Sequence, residues 1–311
     1  MEHIGNDSTG RYARNPTFLG IPYQSAPRGR DVVVIGAPYD AGTTHRPGTQ
    51  LGPRAIRQGS DLLLSTGFDR GAIASDFLDC ADAGDIDLAA GGAHIVMEVA
   101  QRSLQGLLEH NDAFLMLGGD HALTLAALRA VARKHGRIAA VHLDAHCDTQ
   151  PAFYGNAYHH GTAFRLAVEE RLIDPRRLVQ IGVRGHRVEP GPQDEARSHG
   201  TRVISAAEVS AAGPSATARV IRDIVGDVPV YVSVGMDVVD PRFAPGTGTP
   251  APDGPSSLDV LEVLRCVGDL EPVGFDVMGV CPPYDHGGIT SLLATEVGAE
   301  LLYQFARSRC G

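Results

Sequence analysis

The feature that most constrains the fold of this chain is the alternation of short apolar runs with segments of helical periodicity. Runs typical of strands buried on both faces of a parallel sheet lie at 31–38, 113–117, 138–143, 178–183, 228–234 and 273–277. Apolar side chains recur at helical spacing over 123–135, 219–225, 258–264 and 290–306. This alternation predicts a three-layer α/β/α fold around a mostly parallel central sheet.

The organisation of the chain favours one domain. No Pro/Ser-rich linker, low-complexity block or internal repeat divides the 311 residues. Residues 1–30 are polar and rich in Pro and Gly, and we expect an N-terminal arm that wraps the domain or a neighbouring subunit. Residues 31–311 are predicted to form the single domain.

Charge and cysteine content exclude several classes of partner and chemistry. With 37 acidic and 27 basic residues, the net charge of −10 disfavours nucleic acid and anionic membranes as main partners. The five cysteines show no Cys-x-x-Cys spacing and no apolar run approaches the ~20 residues of a membrane span, which favours a cytoplasmic protein with reduced thiols. Lys134 is the only lysine, so a Walker phosphate loop is absent, and no Gly-x-Gly-x-x-Gly follows the first strand.

Side chains that could bind a metal follow the predicted strand 138–143. In an extended backbone every second residue shares a face, so Asp144, His146 and Asp148 would converge. Two carboxylates and an imidazole suit Mn, Fe, Co or Zn better than Ca or Mg. The alternative interpretation is a strand end with solvated acidic residues.

Two other strands deliver further candidate ligands. His121 follows a Gly-Gly-Asp segment after one strand, where it is a candidate ligand or a capping residue. Asp237 follows another strand, whereas Asp240 precedes a proline and is an equally good turn former. Because the carboxyl ends of parallel strands meet at one edge of the sheet, the three segments together predict a metal centre. A metal ion there lowers the pKa of its bound water and supplies hydroxide for hydrolysis.

Two cysteines are alternative ligands. Cys147 lies between His146 and Asp148, and Cys281 lies two residues after Gly279. A thiolate ligand would shift the preference of the centre toward zinc. By strand alternation we expect Cys147 to face away from the metal, in which case it packs as a small apolar residue.

Taken together, these segments resemble the arginase/agmatinase (ureohydrolase) family, which hydrolyses guanidino groups to urea and an amine at a two-manganese site. Besides the metal segments, the matching stretches are 36–40, 46–48, 52–57, 83–85, 160–162 and 288–294. The resemblance runs from about Asp31 to the C-terminus. It implies an arginase-like α/β/α domain, a small guanidino or related substrate, and assembly into a homotrimer or homohexamer.

The resemblance also implies roles for individual residues. His121, Asp144 and Asp148 would hold the first manganese ion. Asp144 would bridge to a second ion held by His146 and Asp237. Asp148 and His160 would be catalytic, with His160 moving protons near the substrate. The far end of the substrate would be bound by a loop that includes Gln150, Tyr154, His159 and His160.

Two glycines stand where the family has acidic residues. Gly235 takes the place of an aspartate that bridges both metals, and Gly279 that of a glutamate that pairs with the substrate guanidinium. The remaining ligands Asp144, Asp148 and Asp237 supply one carboxylate fewer than the family pattern. We therefore expect a weakened metal site, with one Mn²⁺ or two weakly bound ions, and altered substrate recognition. The alternative is a catalytically impaired homologue that keeps the fold and assembly for a binding or structural role.

Overall fold

The computed structural model describes residues 16–63, 77–88, 91–153, 155–185, 191–266 and 270–310 of the chain. Within these residues, eight strands form one sheet in which every pairing between neighbouring strands is parallel. The strands are β1 (Val32–Ala37), β2 (Cys80–Asp85), β3 (Ala113–Gly118), β4 (Ile138–Leu143), β5 (Ile173–Val183), β6 (Arg202–Ser205), β7 (Pro229–Gly235) and β8 (Glu271–Met278). Their spatial order is β2-β1-β3-β8-β7-β4-β5-β6.

Nine α-helices lie within the described part of the chain. They are α1 (Gly52–Gly59), α2 (Ala93–Leu108), α3 (Thr124–His135), α4 (Ala163–Glu169), α5 (Pro192–Ser198), α6 (Ala206–Ala212), α7 (Pro214–Val225), α8 (Ser257–Cys266) and α9 (Ile289–Cys310). Local sequence explains several helix ends. Ser205 and Glu208 form a capping box at the start of α6, and Gly136, with a φ of +79°, follows the last residue of α3. None of the described helices is long and apolar enough to cross a membrane.

Alternate side chains of the strands feed two apolar cores, one on each face of the sheet. In β3, Leu115 and Leu117 pack into the core formed with α1, α7, α8 and α9. Phe114 and Met116 of the same strand pack into the core formed with α2, α3 and α4. A sheet between two helical layers confirms the predicted three-layer α/β/α fold.

The strand order determines where the candidate ligands meet. His121 follows β3, Asp144 follows β4 and Asp237 follows β7. These three strands lie within four neighbours, β3-β8-β7-β4. Their carboxyl ends form the edge at which open α/β sheets bind ligands. The fold therefore brings the three segments to one place.

The described part of the predicted N-terminal arm, residues 16–30, packs against the domain. Phe18 is fully buried, and its backbone N–H donates to Asp82 Oδ2 at 2.8 Å. Tyr23 forms a parallel bridge with Asp82 in β2. Residues 1–15 lie outside the described residues, so the arm as a whole stays a prediction.

Candidate metal centre

Two groups of metal-binding side chains meet at the carboxyl edge of the sheet and share Asp144. In the first group, His121 Nδ1 lies 2.9 Å from Asp144 Oδ2 and 3.3 Å from Asp148 Oδ2. In the second group, His146 Nδ1 lies 3.0 Å from Asp144 Oδ1 and 3.3 Å from Asp237 Oδ2. Asp144 therefore presents one carboxylate oxygen to each group.

The spacing of these atoms suits a metal ion in each group. Bonds of about 2.1 Å from N and O ligands to a metal ion place adjacent ligands about 3 Å apart. The first group offers the imidazoles of His121 and His142 and two carboxylate oxygens, and the second offers one imidazole and two carboxylate oxygens. Both donor sets favour Mn, Fe, Co or Zn. The His146 side chain is 34% exposed and that of His121 only 7%, so the second group is the one open to solvent.

The backbone that brings these side chains together is not the extended strand predicted from the sequence. β4 ends at Leu143, so Asp144, His146 and Asp148 all lie beyond its last residue. Asp148 has a φ of +50°, in the left-handed region that few residues other than glycine occupy. Its carbonyl accepts backbone hydrogen bonds from residues 164 and 165 in α4. A turn, rather than strand alternation, aims the Asp148 carboxylate at the first group.

Burial and neighbouring charges set the protonation of the first group. Burial lowers the pKa of His121, but the hydrogen bond and charge of Asp144 outweigh this effect and raise that pKa to about 10. Burial and the charge of Asp144 raise the pKa of Asp148 well above its ordinary value. A metal ion that binds here must displace these protons, so its affinity increases with pH.

His160 lies beside the second group. Burial and then the charge of His146 lower the pKa of His160 to about 4, so its ring is uncharged at neutral pH. His160 Nε2 lies 2.7 Å from Thr44 Oγ1, which fixes the orientation of the ring. An uncharged imidazole at this position can accept a proton from a reacting group.

A small cavity of about 30 Å³ opens above the centre. Its lining includes side chains of both groups together with Thr43, His160, Thr249 and Gly279. Thr249 Oγ1 also donates to Asp237 Oδ2 at 3.0 Å, which orients that carboxylate. A small polar group entering the cavity would therefore meet hydroxyl groups and an imidazole as well as the candidate ligands.

Three of the four residues predicted to bind the far end of the substrate are described. Gln150 donates its backbone N–H to Gly161 O at 2.8 Å. His159 is 2% exposed, and its two ring nitrogens lie 3.0 Å from Pro151 O and 3.2 Å from Gly161 N. His160 lines the cavity, whereas Tyr154 lies outside the described residues. These contacts show His159 holding the loop in shape, and its part in substrate recognition stays a prediction.

Gly235 and Gly279 border the centre without side chains. A Cβ at residue 235 would overlap Asp144 Oδ2 and lie 2.8 Å from His121 Cε1. Asp144 therefore occupies the space that a side chain at 235 would need. Gly279 has a φ of +83°, which L side chains rarely adopt, although the nearest atom to a Cβ there would be Met236 N at 3.9 Å. At 279 it is the backbone conformation, rather than the space, that suits glycine.

Replacing Gly279 with alanine is expected to lower the free energy of unfolding by about 1–2 kcal/mol, the cost of a left-handed conformation for an L residue. Gly106 is the matched control. It lies inside α2, and a Cβ there would meet no described atom within 4 Å. Gly106→Ala is expected to raise stability by about 0.5–1 kcal/mol. Denaturant unfolding followed by circular dichroism measures both, and equal stabilities for the two variants would contradict the assignment of strain to residue 279.

Neither cysteine considered as an alternative ligand joins the described groups. Cys147 is buried in a small apolar cluster with Val183, Ala196 and Val203. Its thiol thus packs as a small apolar side chain, which was the alternative to ligation, although β4 ends at Leu143 and strand alternation is not the reason. Cys281 Sγ lies 3.3 Å from Pro47 O.

Arg184 ties the loop that carries Asp237 of the second group to neighbouring backbone segments. Its guanidinium donates to backbone carbonyls of residue 182, residues 237–239 and residues 251–252. The bond from Arg184 Nη2 to Asp237 O is 2.8 Å long. Asp240 accepts backbone hydrogen bonds from residues 242 and 254, both at 2.9 Å, which agrees with the predicted turn former. The backbone around Asp237 is therefore held from two sides.

A row of polar side chains beneath the centre was not singled out from the sequence. This polar row consists of Gln180, His142, Ser233 and Asp276, which lie in β5, β4, β7 and β8 and are each 0% exposed. Ser233 Oγ lies 2.9 Å from His121 Nε2, so the row contacts the first group. The sequence does contain an indication of this row. Each of these polar residues lies within a predicted strand between apolar neighbours, a position at which burial is expected.

The chain is similar to known proteins along nearly its whole length. Residues 30–303 match the model of the arginase family. The proclavaminate amidinohydrolase of Streptomyces clavuligerus is 60% identical over 308 residues, which are 99% of this chain and 98% of that protein. The guanidinobutyrase of Pseudomonas aeruginosa is 37% identical over 304 residues, 97% of this chain and 94% of that protein. The solved structure of the S. clavuligerus enzyme matches with a TM-score of 0.93 at 61% identity, over 96% of this chain and 99% of that one.

Proposed function

Because the chain belongs to the arginase family, we propose that it is a metal-dependent amidinohydrolase that converts a guanidino compound to urea and an amine. The observation that carries this proposal is the pair of His/Asp groups that share Asp144. The names of two similar proteins, a proclavaminate amidinohydrolase and a guanidinobutyrase, support hydrolysis of a guanidino compound as the reaction.

Mn²⁺ is the proposed cofactor. His121, Asp144 and Asp148 would hold one ion, and Asp144 would bridge to a second position at His146 and Asp237. When bound, the ions lower the pKa of a coordinated water toward neutrality and so supply the nucleophile. Because three carboxylates serve two positions, we propose either one firmly held ion or two weakly held ions.

His160 is the proposed proton carrier. Its uncharged ring, with a pKa of about 4, can take up a proton near the cavity and release it to the leaving amine. Gly279 offers no charge to a guanidinium, whereas each charge-assisted hydrogen bond that a guanidinium donates to a carboxylate would contribute about 1.5–3 kcal/mol. Substrate recognition is therefore assigned to the loop of Gln150, Tyr154, His159 and His160.

The second candidate is a binding or structural role with the fold retained. The observation that favours it is the lack of side chains at Gly235 and Gly279, beside an otherwise complete set of candidate ligands. In either case, a cytoplasmic homotrimer or homohexamer without nucleic-acid or membrane partners remains the expectation from the sequence.

Urea release separates the two candidates. Protein loaded with Mn²⁺ would be given a panel of guanidino compounds that includes guanidinobutyrate and agmatine. We expect urea from at least one compound and a fall of at least about 100-fold in His160→Asn, because general acid–base catalysis contributes about 10²–10⁴. His94, whose side chain is 71% exposed, provides the control His94→Asn, which should retain activity. A folded protein that releases no urea from any compound supports the binding role instead.

A further inference from the structure

The polar row lies across the middle of the sheet, one layer beneath the metal centre. Gln180 pairs in register with His142, His142 with Ser233, and Ser233 with Asp276. His142 precedes Asp144 by two residues on β4. Because all four side chains are 0% exposed, their polar atoms must find partners inside the protein.

Within the described part of the chain, one ring nitrogen of His142 has no hydrogen-bond partner, whereas the side-chain oxygens of Ser233 and Asp276 are hydrogen-bonded. Asp276 accepts hydrogen bonds from Tyr231 Oη at 2.8 Å and from Ser233 Oγ at 2.6 Å. His142 Nε2, in contrast, has no hydrogen-bond partner among the described residues. This nitrogen lies 3.6 Å from Asp144 Oδ2, the oxygen that Asp144 presents to the first group.

Gln180 determines which ring nitrogen of His142 carries a hydrogen. Gln180 Nε2 lies 2.5 Å from Cys147 O, and a carbonyl only accepts, so this atom is the amide NH₂. The same NH₂ lies 3.2 Å from His142 Nδ1 and has a second hydrogen to donate. His142 Nδ1 is therefore the acceptor, and the ring hydrogen is on Nε2, facing Asp144.

Aromatic packing fixes the direction in which this N–H points. The His142 ring stacks on Phe164 at a centroid distance of 4.0 Å and an interplanar angle of 25°. It also meets the His121 ring edge-on at 5.0 Å. Asp144 Oδ2 also faces Gly235, and because Gly235 has no side chain it does not restrain the Asp144 carboxylate.

We propose that His142 is a positioning residue for Asp144: its Nε2–H, set by Gln180, holds Asp144 Oδ2 in the direction of the first group. This inference rests on the proposed function, in which Asp144 is the shared metal ligand. A ring nitrogen of His142 also lies among the candidate ligands of the first group, but the same contacts disfavour direct ligation. A ligand nitrogen must be free of hydrogen, and moving the hydrogen to Nδ1 would set it against the Gln180 NH₂.

The first test measures Mn²⁺ affinity by isothermal titration calorimetry. His142→Phe keeps a ring against Phe164 but removes the N–H, and we expect roughly 10- to 100-fold weaker binding, as for other losses of a partner to a metal ligand. His142→Gln can place an N–H near the former Nε2 and should recover most of the affinity. Phe305→Leu removes a buried ring from the core on the other face of the sheet, away from His142, so it should bind nearly as tightly as the wild type. Equal affinity of the wild type and His142→Phe would overturn the proposal.

The second test locates the hydrogen by ¹⁵N–¹H NMR of the metal-free protein, with the His142 signal identified by its loss in His142→Phe. We expect the hydrogen on Nε2 in the wild type. Gln180→Glu places an acceptor against Nδ1 and should move the hydrogen there, with Mn²⁺ binding weakened as in His142→Phe. A wild-type hydrogen on Nδ1 overturns the proposal.

The two tests also distinguish this proposal from the proposed function. A wild-type protein that binds no Mn²⁺ contradicts the metal-dependent function. In that case the NMR result alone decides the present inference. A hydrogen on Nε2 that moves to Nδ1 in Gln180→Glu supports the donor role of His142.

Discussion

Replacing Asp144 with asparagine is expected to lower the affinity for Mn²⁺ by at least about 100-fold and to abolish urea release. Loss of a residue that only supports a ligand already costs about 10- to 100-fold. Asp144 is proposed as the ligand itself, and it contacts both His121 and His146. An asparagine would keep one oxygen but would turn an NH₂ toward the other group and remove a negative charge from the centre. Calorimetric titration and metal content after dialysis measure the effect.

Asp174→Asn is the matched control for this prediction. It makes the same chemical change at a residue that pairs with Arg176 at an N–O distance of 3.4 Å. Asp174 lies at the amino end of β5, opposite the edge of the sheet that carries the candidate ligands. Its Mn²⁺ affinity should equal that of the wild type. If Asp144→Asn binds Mn²⁺ as tightly as this control, the shared-ligand assignment is wrong.

The second large effect is expected at Gly235, where two substitutions should act in opposite directions. Gly235→Asp adds a fourth carboxylate beside Asp144, Asp148 and Asp237, and affinity at such sites follows the charge of the ligand set. We expect Mn²⁺ to bind on the order of tenfold more tightly, with two ions per chain. Asp144 must turn aside for the new Cβ, and the added carboxylate compensates for that movement.

Gly235→Ala separates the effect of the carboxylate from that of the Cβ. The methyl group would overlap Asp144 Oδ2 but supply no ligand, so binding should be weaker than in the wild type. Urea release in the Gly235→Asp, Gly279→Glu variant would show whether both acids are needed for guanidine hydrolysis. If the wild type already binds two Mn²⁺ ions tightly, the prediction that Gly235→Asp increases Mn²⁺ affinity is wrong.

The sequence predicts the central strands well because their apolar runs are long and uninterrupted. β4 has the predicted bounds, Ile138–Leu143. β5 begins at Ile173, five residues earlier than predicted, because residues 174–177 are Asp-Pro-Arg-Arg and interrupt the apolar run. Apolar runs do not reveal β2, which reads Cys-Ala-Asp-Ala-Gly-Asp, or β6, which has 4 residues. Both are edge strands, where one neighbour is missing and polar residues are tolerated.

Some residues of the candidate site could be predicted from local sequence patterns, whereas others depend on the folded backbone. The candidate ligands follow strands, so strand position alone indicated that His121, Asp144 and Asp237 would meet. The turn at Asp148 depends on a backbone conformation that the sequence does not specify. The polar row could not be predicted because its members lie in different strands. The register that places Gln180 beside His142 is determined by the packing of the whole sheet.

The contacts of Arg184 have a consequence for how such a site can diversify. This side chain holds two loops, at residues 237–239 and 251–252, through their main-chain carbonyls, which every amino acid possesses. Side chains in those loops can therefore be exchanged during evolution without loosening the frame around Asp237. Point mutations in these loops can therefore change the substrate preference. Arg184 itself cannot be replaced in the same way, because no other side chain is as long and offers as many hydrogen-bond donors.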